Sequence, residues 1–237
     1  MKYKLLALCL MALSFSDCSQ KHLSTTHTEA WQPLFNGKNT EGWRGAYSTE
    51  FPKHGWIIKD GELHGELSAG GESGDAGDIV TIKKYKNFAL VFDWKLGKGG
   101  NSGVKYFIEE KLPKPVGSQA GYEYQLIDDA DYIYNKKHLP EDLKTASIYD
   151  VIAAEKPDVQ LDRWHSSKIV VQNNHIEHWL DNKKVLDIDR TSEAFKKGVL
   201  DSKFKGYQGF STIPEGHILL QDHGHNVAFK NIKIKEL

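Results

Sequence analysis

Cysteine is nearly absent from this chain of 237 residues, which has only Cys9 and Cys18. From residue 31 onward there is no thiol, so a disulfide framework and a paired-cysteine metal site are excluded there. An excess of positive or negative charge is also lacking, since the formal net charge is −1, and no basic patch alternates with aromatic residues. Nucleic acid is therefore not expected as a partner.

Long apolar runs are lacking as well. The run LLALCLMALSF near the start is shorter than the about 20 residues that a membrane-spanning helix needs. Because two lysines precede it, we interpret residues 1–17 as a secretory signal peptide. Cys18 then resembles the acylated cysteine of a bacterial lipoprotein, although Asp17 departs from the small residue usual before it.

These features predict export to the periplasm or cell envelope. A lipid on Cys18 would be the only attachment to the membrane, and the alternative is a soluble exported protein. Residues 18–30 are polar and without periodicity, as in a tether. Residues 31–237 suffice for one domain with a sizeable core.

Helical periodicity is scarce, and alternation with period two dominates. The stretches ALVFDWKL, GVKYFI and YEYQLI alternate apolar and polar residues, as half-buried strands do. Turn-forming pairs at 60–61, 173–174 and 181–182 separate such stretches. We predict an all-β fold, an antiparallel β-sandwich, with one short helix within Ser192–Lys205 and Ser192 as its N-cap.

One long segment, Asp128 to His165, has no sustained alternation. A connection of this length in a compact β domain usually covers a functional site, so we predict a lid or wall. The alternative is an insertion without function.

Five further blocks of sequence span residues 31–237 and read WQPLFNGKNTEGW, GNSGVKYF, GYEYQLIDD, NHIEHWLDNKKV and ILLQDHGHNVAFKNIKI. These blocks resemble the 3-keto-disaccharide hydrolase family and occur in that family's order. One departure is His165, because the family commonly has asparagine after the corresponding tryptophan. The resemblance implies a concanavalin A-like jelly roll and action on glycosides whose sugar carries a 3-ketone.

A ketone at C3 of a sugar acidifies the hydrogen on C2. A base can remove that proton, negative charge develops on the C3 oxygen, and the C1 substituent leaves by β-elimination, with or without later addition of water. Such a reaction needs one base, donors for the oxyanion and an acid for the leaving group. The predicted enzyme is therefore a hydrolase or lyase of 3-keto-glycosides.

The catalytic candidates are Glu123, Gln125 and His178. Alternation places Glu123 and Gln125 on one face of a strand, and Glu123 is the expected base. His178 is the rival base, and the alternative is a hydrogen-bonded, half-buried residue. The paired carboxylates of an ordinary retaining glucanase are lacking, because Gln125 replaces the middle acid of E-x-D-x-x-E and Asp128 its last glutamate.

The substrate-binding candidates lie in turns, at strand ends and in the long segment. They are Asn101, Ser102, Lys105, Asp128, Tyr149, Gln221 and His223, with Tyr132 and Tyr134 as further rings for sugar stacking. For Asn101 and Ser102 the alternative is a plain hairpin turn. Asp222 is expected to tie the turn between Gln221 and His223, and the alternative for all three is turn chemistry alone.

No metal motif is present. His175 and His178 would point to opposite faces of a strand, and H-E-x-x-H is lacking. No cofactor is predicted, and a divalent ion is left open through residues distant in sequence. The expected partner is a carbohydrate, and no feature predicts an oligomeric state. The alternative function is a non-catalytic, lectin-like carbohydrate-binding module, because one sandwich fold serves both.

Overall fold

The computed structural model describes residues 30–67, 77–111, 121–130, 132 and 138–237. The signal peptide, Cys18 and nearly all of the predicted tether lie outside the described residues, as does Tyr134. In the part of the chain that is described, no helix is long and apolar enough to span a bilayer.

The described residues form two antiparallel sheets. The strands are β1 (Gln32–Pro33), β2 (Trp43–Gly45), β3 (Trp56–Lys59), β4 (Glu62–Gly65), β5 (Ile79–Tyr85), β6 (Phe88–Leu96), β7 (Asn101–Ile108), β8 (Tyr122–Ile127), β9 (His165–Gln172), β10 (His175–Leu180), β11 (Lys183–Asp189), β12 (Gly216–Leu220) and β13 (Val227–Glu236). The eight-stranded sheet has the order β11-β10-β9-β6-β13-β4-β3, with β1 paired to β13. The five-stranded sheet has the order β2-β5-β12-β7-β8.

The alternating stretches form strands because one set of side chains is buried between the sheets. In β6, Leu90, Phe92 and Trp94 are buried while Asp93 and Lys95 are only partly covered. The predicted strand faces are therefore confirmed for this element.

Two predicted hairpin turns have the backbone that a two-residue hairpin needs. Asp60 and Gly61 have φ of 53° and 79° between β3 and β4, and Asp181 and Asn182 have φ of 47° and 66° between β10 and β11. Positive φ at both positions matches the right-handed twist of the flanking strands, and Asp, Asn and Gly accept it most easily.

The predicted helix is present and shorter than the predicted range. It spans Glu193–Asp201 (α1), and the Ser192 side chain accepts a hydrogen bond from the Phe195 N–H at 3.2 Å. Phe195 and Val199 bury its apolar side. The helix ends because Ser202 is extended, and its hydroxyl donates to the Val199 carbonyl at 2.8 Å. Two 3-10 turns, Glu141–Leu143 and Phe210–Thr212, are also present.

Aromatic rings fill the space between the sheets. Tyr122 packs edge-to-face on Phe195 and Phe210, with ring centroids 5.6 and 5.0 Å apart, and Tyr124 packs on Phe92 at 5.5 Å. Such pairs each contribute about 0.5–1.5 kcal/mol beyond area burial. Because β8 turns Tyr122, Tyr124 and Leu126 into this core, the side chains that alternate with them face the other side of the five-stranded sheet.

Candidate active site

Strand β8 presents Glu123, Gln125 and Ile127 on the face that points away from the core. Tyr122, Tyr124 and Leu126 alternate with them and enter the core between the sheets. The face assignment predicted from the sequence is therefore confirmed.

The register of three adjacent strands brings distant residues together. Lys105 pairs with Glu123, and Gly103 pairs with Gln125 across the β7–β8 ladder. On the other side of β7, the Gln221 N–H donates to the Gly103 carbonyl at 2.9 Å, just beyond the end of β12. Residues far apart in the chain thus share one patch of sheet.

A pocket lies over this patch. Its lining residues are Asn101, Glu123, Gln125, Ile127, Tyr132, Leu139, Leu143, Tyr149, Lys203, Gln221 and His223. It therefore combines amides, one carboxylate and an imidazole with apolar and aromatic walls, the composition typical of a site for a polar organic ligand.

A buried ion pair forms part of the site. The Lys105 Nζ atom lies 3.3 Å from Glu123 Oε2, and the two side chains are 1% and 7% exposed. Charges buried this deeply require opposite charges close by, so the attraction between the two groups offsets part of the cost of removing them from water.

The Glu123 carboxyl group occupies space that is available because residue 103 is a glycine. A Cβ at this position would lie 2.9 Å from the Glu123 Cδ and closer still to Oε1. The carboxyl group therefore lies directly over the glycine, and any larger residue would move it.

The wall of the pocket is the described part of the long segment. It runs beside β8: the Ala146 N–H donates to the Gln125 carbonyl at 2.8 Å, and the Tyr149 N–H donates to the Glu123 carbonyl at 3.1 Å. Leu139, Leu143 and Tyr149 then line the pocket. The described part of the long segment therefore forms a wall along the pocket.

A buried ion pair stabilises this wall next to the end of β8. Asp129 and Lys156 pair while both side chains are only 4% exposed, and Asp129 also accepts from the Thr145 N–H at 2.8 Å. The Thr145 hydroxyl in turn donates to the Ile127 carbonyl at 2.8 Å. The wall is thus tied to the end of β8 by side chains as well as backbone.

The turn after β12 supplies the opposite rim. Gln221 and His223 line the pocket, while Asp222 accepts hydrogen bonds from the Gly77 and Gly224 N–H groups at 3.1 and 2.9 Å. The sequence predicts this arrangement, in which Asp222 holds the turn and its two neighbours face the pocket. The His223 ring stacks on His225 at 5.4 Å between centroids, and burial together with His223 lowers the pKa of His225.

Two buried acceptors in the pocket have no hydrogen-bond donor among the described residues. They are Asn101 Oδ1 and Gln221 Oε1, on side chains that belong to residues 8% and 4% exposed. An unsatisfied buried acceptor costs about 1–3 kcal/mol, which a ligand hydroxyl recovers when it donates to it. The pocket therefore offers a ligand two acceptors for hydrogen bonds.

His178 does not reach the pocket, so its predicted place in the site is corrected. Its side chain is fully buried between the sheets. Its Nδ1 lies 2.7 Å from the Ala146 carbonyl, which can only accept, so Nδ1 carries the proton and Nε2 accepts from the Tyr106 hydroxyl at 2.9 Å. Burial lowers the pKa of His178 to about 4. The alternative was right about the hydrogen bonds, but His178 is fully buried and not half-buried.

Ser102, Lys105 and Asp128 also do not line the pocket, which corrects their expected contact with substrate. The Lys105 side chain is 1% exposed and pairs with Glu123. The Ser102 hydroxyl is fully buried and donates to the Gln221 carbonyl at 2.8 Å. Asp128 accepts from the N–H groups of Gly99 and Ala130 at 2.8 and 3.2 Å. The Ser102 and Asp128 side chains hold the loops that carry pocket residues.

His165 lies in the eight-stranded sheet, away from the pocket. It stacks on Trp94 at 4.8 Å and hydrogen-bonds through Nδ1 to Asp181 at 2.8 Å and through Nε2 to the Gln160 carbonyl at 2.7 Å. Its departure from the family pattern therefore affects the start of β9, an inner strand of that sheet.

Lys203, Leu139 and Leu143 line the pocket and were not predicted. Lys203 follows α1, and its position depends on the Asp150 carboxylate, which accepts its backbone N–H at 2.7 Å. No local pattern marks it, because it is one of many surface lysines in the sequence.

Among the described residues, one group of side chains has metal-ligand spacing, His175, Glu177 and Asp187 on β10 and β11. It lies outside the pocket, and the Lys184 ammonium already pairs with both carboxylates. His175 is half exposed and His178 is buried, as expected for opposite strand faces. At the pocket, the Lys105 ammonium pairs with Glu123, the one carboxylate among the described residues that line it.

Comparison with known proteins supports the resemblance in sequence. A family model described as the 3-keto-alpha-glucoside-1,2-lyase-like domain matches residues 30–235. A 3-keto-disaccharide hydrolase of Bacteroides thetaiotaomicron is 33% identical, over 86% of this chain and 77% of that protein. A crystal structure from Parabacteroides distasonis, described as a glycosyl hydrolase, has 34% identity and a TM-score of 0.78, and covers 88% of this chain and 94% of its own.

A more distant likeness concerns the fold alone. A Bacillus subtilis protein with a galectin-like fold matches at a TM-score of 0.50 with 11% identity, over 87% of this chain and 94% of its own. Together with the two antiparallel sheets, this confirms the predicted concanavalin A-like jelly-roll sandwich.

Proposed function

We propose, for a chain that belongs to the 3-keto-alpha-glucoside-1,2-lyase-like family, that it is a carbohydrate-cleaving enzyme whose substrates are 3-keto-glycosides. The proposed reaction begins with removal of the C2 proton and continues with β-elimination of the C1 substituent. The observation that carries the proposal is the buried Glu123 carboxylate, paired with Lys105 and lining the pocket beside Gln125.

Glu123 is the proposed base. Its carboxylate is held by the Lys105 ammonium and by the space over Gly103, so its direction is fixed before a substrate arrives. Proton abstraction by a side chain accelerates a reaction by about 10²–10⁴-fold, and a base that is already oriented achieves most of this acceleration.

Gln125 is proposed to donate to the oxyanion that develops on C3. Its Oε1 accepts from the Leu126 N–H at 3.3 Å, which leaves the amide NH₂ to act as donor. His223, the imidazole that lines the pocket, is proposed to donate a proton to the departing oxygen. Asn101 Oδ1 and Gln221 Oε1 accept from sugar hydroxyls.

A single base also explains why two nearby carboxylates are not needed. Among the described residues that line the pocket, Glu123 is the one carboxylate. A retaining glycosidase requires a second carboxyl group at about 5 Å, and Asp128 is engaged by backbone N–H groups instead. The chemistry of the pocket therefore favours elimination over double displacement.

The test compares Glu123→Gln with Glu155→Gln, which removes an exposed carboxylate outside the pocket. Turnover of an aryl 3-keto-glucoside should fall roughly 10²–10⁴-fold in Glu123→Gln and stay unchanged in the control. The unoxidised parent glucoside should not be cleaved by either protein, because its C2 hydrogen is not acidic.

Deuterium exchange isolates the proposed step. On a 3-keto C-glycoside, which has no leaving group, the wild-type protein should exchange the C2 hydrogen with solvent. Exchange at the wild-type rate in Glu123→Gln would remove Glu123 from the role of base. Release of aglycone from neither glycoside, with retained glycan affinity, would instead favour the lectin-like binding module.

A further inference from the structure

Lys203 is the cation at the mouth of the pocket. Its side chain is exposed, whereas the side chain of Glu123, which lines the same pocket, is 7% exposed and that of its partner Lys105 is 1% exposed. Because Lys105 and Glu123 neutralise each other, the formal charge that Lys203 adds is not cancelled by that pair. Among the described residues that line the pocket, Lys203 supplies the one ammonium, and it does so at the exposed side.

The backbone at Lys203 is held in place from both sides. Its N–H donates to Asp150 Oδ2 at 2.7 Å, on the wall segment. Before it, Ser202 is buried, and after it Phe204 stacks on Phe210 at 4.5 Å with an interplanar angle of 11°. A lysine anchored this way loses less freedom on binding than a lysine on a mobile loop.

The ammonium itself is placed over an aromatic ring. The Lys203 Nζ atom lies 4.5 Å from the centre of the Tyr149 ring, which lines the pocket. Among the described residues no carboxylate lies within ion-pair distance of this ammonium. The cation is thus directed along the pocket wall and available to a ligand.

We propose that Lys203 selects substrates whose leaving group carries a carboxylate. This inference rests on the proposed function, because it assigns the buried end of the pocket to the keto sugar and the mouth to the group that departs. An exposed cation contributes about fivefold in affinity to an ion pair, so the effect is on binding and not on the chemical step.

The test measures affinity with ligands that cannot be cleaved. Two C-glycosides of 3-keto-glucose are compared by calorimetry, one with a 3-carboxyphenyl and one with a 3-carbamoylphenyl group, which differ in charge and little in size. Wild-type protein should bind the carboxylate about fivefold more tightly. Lys203→Met should remove this preference, and Lys203→Arg should keep it.

Lys205→Met is the matched control, since Lys205 is exposed, two residues away and outside the pocket lining. It should leave the preference intact, and raised salt should weaken the preference in the wild type. Equal affinity of wild-type protein for both ligands, or binding of neither, would overturn the inference.

The matching O-glycosides separate this inference from the proposed function. Cleavage of both at equal KM would sustain the enzyme and reject the role of Lys203. A carboxylate preference in binding without cleavage of either would reject the proposed function and retain the subsite. An equal loss of kcat on both O-glycosides in Lys203→Met would show a role in chemistry and overturn specificity.

Discussion

Replacing Gly103 with alanine should displace the Glu123 carboxylate without removing it. The added Cβ would lie 2.9 Å from the Glu123 Cδ, whereas ordinary contact begins at 3.4 Å. The carboxyl group must therefore move by roughly 0.5–1 Å, and a shift of this size at a reacting group costs about 10²-fold in rate. We expect kcat/KM for an aryl 3-keto-glucoside to fall by about that factor.

The fold should tolerate this change. Gly103 does not have a positive φ, so alanine fits its backbone, and the nearest atom met is the end of a side chain. Because that side chain is buried and paired with Lys105, the movement is costly but limited, and the free energy of unfolding should change by less than about 2 kcal/mol. Urea denaturation measures this, and circular dichroism reports whether the sandwich is intact.

Gly206→Ala is the control, because a Cβ at Gly206 meets nothing within 4 Å and its φ is not positive. This variant should turn over like the wild type. A folded Gly103→Ala protein with wild-type kcat/KM would refute the reasoning, since the position of the Glu123 carboxylate would then not matter for turnover.

Two further predictions concern the core histidine and the N-terminus. Since the pKa of His178 is about 4 in the folded protein and its ordinary value is 6.5, the unfolded chain binds the proton more readily. Above pH 6.5 His178 is neutral in both states and does not change the free energy of unfolding. As the pH decreases from 6.5 to 4, the unfolded chain takes up the proton and the free energy of unfolding falls by about 3 kcal/mol. Urea denaturation should show a smaller loss over this range in His178→Gln, and an equal loss would contradict the assignment. We also propose export with a lipid on Cys18, so labelled palmitate should tag the wild type in membranes and not Cys18→Ser.

The faces of the strands could be predicted from the sequence because alternation is a local property. In β8 the pattern placed Glu123 and Gln125 together, and the structure has them there. The same reasoning placed Gln221 and His223 together at the end of β12. In each case the period of two decides which side chains share a face, independently of the rest of the chain.

Alternation does not say what each face packs against, and this explains the error at His178. The pattern correctly grouped His178 with Ile176 and Leu180, but that face of β10 is covered by the opposite sheet. The contribution of Lys203 was missed for a related reason. Its place at the pocket depends on packing between α1 and the wall segment, which lie about fifty residues apart in the chain.

His178 nevertheless supports the pocket from the core side. Its Nδ1–H holds the Ala146 carbonyl, and the Ala146 N–H holds the Gln125 carbonyl, so one residue of the wall is fixed between the core and β8. Ala146 has a φ of 67°, which is unfavourable for alanine and persists only where its surroundings enforce it. A neutral imidazole suits this task, since it donates to Ala146 and accepts from Tyr106 without placing a charge between the sheets. The block that contains His178 therefore supports the pocket through the wall, while Glu123, the proposed base, lies on the outer face of the five-stranded sheet.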